Sequence, residues 1–312
     1  MEEEEFPVPK SLDGARLDAA TFELFSPASR TAARKLVQEG GVLLNGRRAA
    51  KGALVREGDL LRLANPADLR SDDRAVSSPD APLTVLFASE KVLVCDKPAG
   101  MPTAPIKPGE TGTLANALVG HYPELSDIGH SLREPGLLHR LDTDTSGVVV
   151  AARTLDAFER LSSALKRAEV YKTYVVVCAA LDLPEVGTID IPIANHPKDR
   201  RRVLACSHPR DVIRYNPRPA STEYRVLQRG NGRALVSVVI HRALRHQIRA
   251  HFSAIGHPLV GDILYGGEAV AGFDRHALHA ERVRYQGDAD ITFDVESKVP
   301  ADLVALLGDT KE

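Results

Sequence analysis

The chain has 312 residues, 43% hydrophobic and 26% charged, with a formal net charge of −2, which is length for about two domains and apolar content for a sizeable core. No apolar run approaches the roughly 18 residues of a membrane helix, and the start Met1-Glu2-Glu3-Glu4-Glu5 is acidic where a secretory leader is basic and then apolar, so a cytoplasmic protein is expected. Cys95, Cys178 and Cys206 are far apart, lie in or beside apolar runs and form no Cys-x-x-Cys pair, which argues against a disulfide framework or a zinc site.

The near-neutral total hides an uneven distribution. Residues 29–62 hold eight basic side chains against three acidic ones, a local +5, and residues 198–249 hold thirteen against three, a local +10. Two basic surfaces balanced by acidic termini favour a polyanion bound at defined places.

Residues 11–64 read as a small unit. Leu17, Ala20, Leu24 and Phe25 share one helical face; a second helix is offered by Ser29 as N-cap, by Ala33, Leu36 and Val37 as the buried stripe, and by Gly40-Gly41 as the stop. Val42-Leu43-Leu44 then runs into the hairpin turn Asn45-Gly46, and Leu60–Leu63 is a last strand. Arg30 and Arg34 lie one turn apart, Lys35 adjoins Arg34, and Arg47-Arg48 follow the turn. Together they form a basic face whose plain alternative is an ordinary solvated surface.

Residues 65–82 are polar and rich in Pro and Ser, the composition of a linker, and the second domain, residues 83–312, starts at Leu83. Two apolar runs, Leu83–Ala88 and Val92–Cys95, lead into Asp96-Lys97-Pro98-Ala99-Gly100-Met101-Pro102, which fixes a stiff extended loop suited to one wall of a cleft. Thr113–Tyr122 reads as a helix. Between two apolar runs sits His139-Arg140-Leu141-Asp142-Thr143-Asp144-Thr145-Ser146-Gly147, denser in functional groups than a turn requires. It is the candidate active site, although a Thr-rich turn closed by Gly147 accounts for the composition equally well.

Thr154 caps a further helix, and strands are expected at Tyr171–Leu181, Gly187–Ile193, Ser221–Leu227 and Ala234–Ile240, with a basic separator from Lys198 to Arg218. The predicted fold class is α+β: a mixed, largely antiparallel sheet with peripheral helices and loops lining a cleft, preceded by a small α+β module. His246 and His251 are five residues apart on a predicted helix and have no acidic ligand nearby, so no metal site is expected.

The helix, turn and strand order of residues 11–64 resembles the RNA-binding module named after the fourth protein of the small ribosomal subunit. Residues 83–307 resemble the RluA-type pseudouridine synthases. That resemblance rests on His139-Arg140-Leu141-Asp142 with Thr145-Ser146-Gly147, on Asp96 to Pro102, on Lys172-Thr173-Tyr174, on His246-Gln247-Ile248-Arg249 and on Gly256-His257-Pro258-Leu259-Val260-Gly261-Asp262.

It implies an isomerase that converts uridine in structured RNA to pseudouridine without cofactor or metal, with ribosomal RNA favoured over transfer RNA and a monomer expected. Asp142 is then the catalytic carboxylate, either attacking the anomeric carbon or taking up a sugar proton. Tyr174 stacks on the base, and Arg140, His139, Arg249 and the basic face of the first unit meet the RNA. One departure stands out. The family arginine expected to pair with the aspartate aligns with Leu244, which leaves Arg245 or Arg242 to replace it and motivates a second reading, an RNA-binding or ribosome-assembly factor on a synthase scaffold with weakened turnover.

Overall fold

The computed structural model describes residues 5–25, 30–49, 52–64, 74–180 and 182–308, without the side chains of residues 30–32, 35 and 288. The chain divides into two compact units between Arg74 and Ala75. Residues 65–73 of the expected linker, and Ser29 as N-cap, lie outside the described residues.

The first unit starts earlier than residue 11. Strand β1 (Glu5–Pro7) precedes α1 (Leu17–Phe25), α2 (Arg30–Gln38), β2 (Val42–Leu44), β3 (Arg47–Arg48) and β4 (Leu60–Leu63), and the sheet order is β1-β4-β2-β3. β1 was missed because Phe6, flanked by acidic residues and Pro7, shows no alternation; its strand character comes from pairing with Leu60–Arg62. Asn45 and Gly46 both have positive φ, 49° and 73°, as the tight hairpin turn between β2 and β3 requires. Leu17, Ala20, Phe25, Leu36, Val37, Val42 and Leu61 close one core.

The second unit contains β5 (Thr84–Ala88), β6 (Val92–Lys97), α3 (Leu114–His121), β7 (Ser146–Ala152), α4 (Leu155–Lys166), β8 (Tyr171–Ala179), β9 (Val186–Ile189), β10 (Ile193–Asn195), β11 (Val203–Ala205), α5 (Pro209–Tyr215), β12 (Thr222–Gly230), β13 (Arg233–Ile240), α6 (Gln247–Ala254), β14 (Leu278–Asp288), β15 (Ile291–Glu296) and α7 (Ala301–Ala305). Among the described residues, nine strands form one sheet in the order β5-β6-β7-β14-β8-β13-β12-β9, with β15 paired to β14. Among the described strands only β7 and β14 pair in parallel; the expected mixed, largely antiparallel α+β architecture is the observed one.

Two details depart from the sequence reading. The expected strand Gly187–Ile193 is split, with Val186–Ile189 in the large sheet and Ile193–Asn195 in a separate hairpin with Val203–Ala205, because Pro192 between them has no N–H to give a ladder. The basic separator is itself folded: it carries β11 and α5. The helix caps follow the sequence. Thr113 Oγ1 accepts from Asn116 N at 3.3 Å and Thr154 Oγ1 from Ala157 N at 3.2 Å, each satisfying an amide that the helix leaves open.

The register of three neighbouring strands positions the site. Gly147 at the start of β7 stands opposite Ala280 of β14, and Ala280 stands opposite Tyr174 of β8. Gly147 has φ +113°, and a Cβ there would lie 2.1 Å from the Ala280 carbonyl oxygen, so only glycine lets β7 and β14 approach this closely. The segment before β7 is thereby delivered over the middle of the sheet, one strand away from Tyr174.

Candidate active site

The nonapeptide is a bend held from several sides. Thr103 Oγ1 donates to the Leu141 carbonyl at 2.7 Å and accepts from Leu141 N at 3.1 Å. The fully buried Lys97 donates from Nζ to the carbonyls of Pro98, Met101 and Thr143 at 2.9, 2.7 and 2.9 Å, tying the Pro-rich loop to the residue after Asp142. Burial lowers Lys97 to about 8 although Asp144 and Asp142 pull it upward. On the far side, Thr145 Oγ1 lies 2.7 Å from His276 Nε2 and Ser146 Oγ lies 2.9 Å from His279 Nδ1. The hydroxyls of Thr145 and Ser146 are therefore struts for the bend.

Asp142 lies in a cleft of about 1210 Å³, its side chain 26% exposed. Arg249 Nη1 donates to Asp142 Oδ2 at 2.8 Å, and His246 Nε2 lies 3.6 Å from Oδ1. Burial alone would raise the carboxyl, but the charges of His246 and Arg249, with the Arg249 hydrogen bond, outweigh it and hold Asp142 below the usual carboxylate range. His246 is itself pushed below its ordinary value, by burial first, so at neutral pH the lasting cation is Arg249. Burial would lower Arg249 too, and Asp262 and Asp142 more than reverse that.

The guanidinium has no freedom to leave. Nε and Nη2 donate to Asp262 Oδ2 and Oδ1 at 2.7 and 2.8 Å, a two-point clamp on a carboxylate that is 2% exposed, which is the geometry in which a buried arginine is held in one orientation. The Tyr265 ring centroid lies 5.1 Å from Arg249 Cζ. Tyr265 Oη is 3.0 Å from His246 Nδ1 and accepts from Val203 N at 2.8 Å. Asp262, Tyr265 and Lys97 all lie in stretches marked by sequence, yet none was given a role; an Asp and a Tyr three residues apart after an apolar run were the available signal.

Arg245 does not reach Asp142. Its Nη2 donates to the Arg200 carbonyl at 2.8 Å and its side chain is exposed at the cleft rim. Arg245 could replace the residue at Leu244 only where the backbone already turns into the helix. It does turn, since β13 ends at Ile240 and His246, with φ +53° in the left-handed region, leads the chain into α6, yet the turn directs Arg245 to the Arg200 carbonyl. That turn places Arg249, three residues inside the helix, against Asp142. Arg249 is thus the carboxylate's partner, where an RNA contact was expected, and Leu244 leaves no gap in the charge pairing.

The other singled-out residues fall as follows. Tyr174 is buried in the main core, and burial, with the Asp142 charge adding to it, raises its phenol well above the ordinary value. His139 faces inward: Nε2 accepts from Val150 N at 3.1 Å, and burial lowers it to about 3, so it is neutral. Arg140 is exposed at the rim and pairs with Glu134 at 2.8 Å. In the first unit, Arg34 pairs with Asp18 at 3.3 Å, and Arg47 and Arg48 are exposed on β3. The side chains of Arg30 and Lys35 lie outside the described residues.

An ionised aspartate clamped by a buried arginine, at the bottom of an open cleft whose rim carries exposed arginines, defines an enzyme working on a large anionic substrate. Residues 91–254 match the family model described as RNA pseudouridylate synthase, and residues 16–61 match the S4 domain. The chain is 33% identical over 319 residues to a ribosomal large subunit pseudouridine synthase D of Xanthomonas campestris, covering 98% of this chain and 92% of that one. It is 38% identical over 255 residues to an uncharacterised RNA pseudouridine synthase of Aquifex aeolicus, covering 80% and 77%. The solved structure of human RNA pseudouridylate synthase domain containing 1 shares the fold, with a TM-score of 0.55 at 24% identity over 71% of this chain and 85% of that one. The chain belongs to the RNA pseudouridylate synthase family, whose members isomerise uridine in RNA to its carbon-linked form.

Proposed function

We propose that this synthase acts on uridines of large-subunit ribosomal RNA, with the first unit, residues 11–64 at its core, as an RNA-binding module and residues 83–312 as the catalytic domain. The relatives that match it end to end carry that substrate in their names. The observation that carries the catalytic reading is the Asp142–Arg249–Asp262 chain, which holds one carboxylate ionised and stationary in a cleft open to RNA.

Asp142 is the catalytic carboxylate, acting at the anomeric carbon or on a sugar proton. An ionised carboxylate needs no separate base to activate it. Arg249 fixes its position, so that the reacting atoms meet in one geometry. Tyr174 offers its ring to the target base, and the rim arginines Arg140 and Arg245 meet the RNA where a uridine is extruded from a stem. Arg34, Arg47 and Arg48 contribute phosphate contacts from the first unit.

The reading of a scaffold with weakened turnover drew on the residue at Leu244. With Arg249 paired to Asp142, that motive is gone. The test is to incubate the protein with unmodified large-subunit ribosomal RNA transcript and map the modified positions. Asp142→Asn should bind the transcript and form no product; full turnover by that variant would remove Asp142 from the mechanism.

A further inference from the structure

Among the described residues, Lys172 has no partner for its charge. It is the second residue of β8, 5% exposed, and lines the cleft that holds Asp142. Among the described residues its ammonium makes no hydrogen bond or ion pair, and burial alone accounts for its lowered pKa of about 8. The buried cation across the cleft, Arg249, is answered by two carboxylates, and Lys97, buried behind the Pro-rich loop, by three carbonyls. An ammonium on so buried a side chain, with no partner in the protein, is a cost to the folded state, and here it opens only to the cleft.

The neighbours of Lys172 indicate what would answer it. Tyr174 is two residues along the same strand, hence on the same face of the sheet, at a spacing of roughly 6.6 Å, about the width of a pyrimidine ring and its carbonyl. His139, whose depressed pKa is due to burial and then to the Lys172 charge, is neutral and supplies no counter-charge. Phosphates travel on the outside of an extruded nucleotide, where the exposed Arg140 and Arg245 stand. The base travels inside.

We infer that the Lys172 ammonium receives the uracil anion released during isomerisation, donating to one of its carbonyl oxygens. The inference rests on the proposed function. When the C1′–N1 bond breaks, both its electrons leave with the base, whichever way Asp142 acts, and the charge spreads over N1, O2 and O4. The base turns and an electron pair at C5 forms the C1′–C5 bond, as the Asp142 carboxylate leaves C1′ with its bonding electrons on the first route or as the sugar takes back the proton held by Asp142 on the second. The proton on C5 is lost and N1 regains one, so the reaction remains an isomerisation. Lys172 stays protonated throughout. A donor aimed at charge that exists only after bond cleavage lowers the barrier without tightening ground-state binding.

The experiment uses the full chain and a large-subunit ribosomal RNA transcript, with single-turnover rates at saturating enzyme and separate measurements of RNA affinity. Lys172→Met should slow pseudouridine formation by about 100-fold, leave the dissociation constant for the transcript within about threefold, and raise the melting temperature. Lys172→Arg should restore most of the rate. The same affinity measured on RNA with an abasic site at the mapped uridine separates base from phosphate: a Lys172→Met loss of affinity equal on intact and abasic RNA would assign the lysine to phosphate and overturn the inference. So would an unchanged rate. If the wild-type chain forms no pseudouridine on the transcript, the proposed substrate fails first and takes the inference with it; wild-type turnover with an equally active Lys172→Met sinks the inference alone.

Discussion

Two walls of one cleft treat buried positive charge in opposite ways. On the α6 side, Arg249 is 6% exposed and is met by Asp142 and Asp262 and by the face of Tyr265. On the β8 side, Lys172 is 5% exposed and, among the described residues, is met by no hydrogen bond or ion pair. Burial costs both cations their hydration, but only the first recovers it within the protein. A compensated cation is a fixture that fixes the orientation of its carboxylate. An uncompensated one is poised for charge that the reaction brings.

The largest effect expected from breaking this contrast is at the shared carboxylate. Asp142→Asn should lower single-turnover pseudouridine formation by on the order of 10⁴-fold while RNA affinity in a filter-binding assay stays close to wild type. Next is the compensated wall. Arg249→Met should cost the rate about 10²- to 10³-fold and, by leaving Asp262 buried without its partner, destabilise the fold by about 3–5 kcal/mol in denaturant titration. Adding Asp262→Asn to that variant should recover stability without recovering rate. Recovery of both would make the arginine dispensable to the chemistry.

The uncompensated wall has a pH signature. Burial lowers Lys172, and likewise Lys97, from 10.5 to about 8. Below pH 8 both are charged in the folded and unfolded chain, and the burial penalty is present in full. Between about 8 and 10.5 the unfolded chain binds more protons, so stability rises with pH across that window. The rate should move the other way, falling above about pH 8 as the Lys172 ammonium loses its proton. His139 and His276, lowered to about 3 and about 4, are neutral throughout. A pH–rate profile of Lys172→Met that keeps the whole alkaline fall would attribute it to Lys97. The smallest effect belongs to the rim: Arg245→Ala should weaken RNA binding a few-fold and reduce the salt slope by about one, with the saturating rate unchanged.

Much of the first unit was legible because its signals are local. The stripe Ala33, Leu36 and Val37 is buried, and Asn45-Gly46 makes the hairpin it announces. Likewise in the second unit, Thr113 and Thr154 cap their helices and the β8 and β13 runs are strands. Strand β1 and the hairpin of β10 and β11 were not legible, since a three-residue strand has too few alternations to register and exists through its partner. His139 illustrates a subtler limit. Its place near Asp142 in the chain suggested a ligand-facing group, and it does line the cleft, but its Nε2 is also tied to Val150 N, a contact that no sequence pattern announces.

Sequence by itself therefore indicated the α+β class and a first unit distinct from a second, because helix periodicity and turn chemistry are written in neighbouring positions, while Asp142 was singled out by the family resemblance of its motif. Tertiary structure alone decided which cation meets Asp142. A strand that stops at Ile240 and a left-handed residue at His246 rotate Arg249 into place and Arg245 out of it, and no pattern within the chain states where a backbone reverses. It also decided that Arg249 is neutralised and Lys172 is not, since the carboxylates that separate them come from positions 142 and 262, brought to one wall only by the packing of β7, β14 and β8.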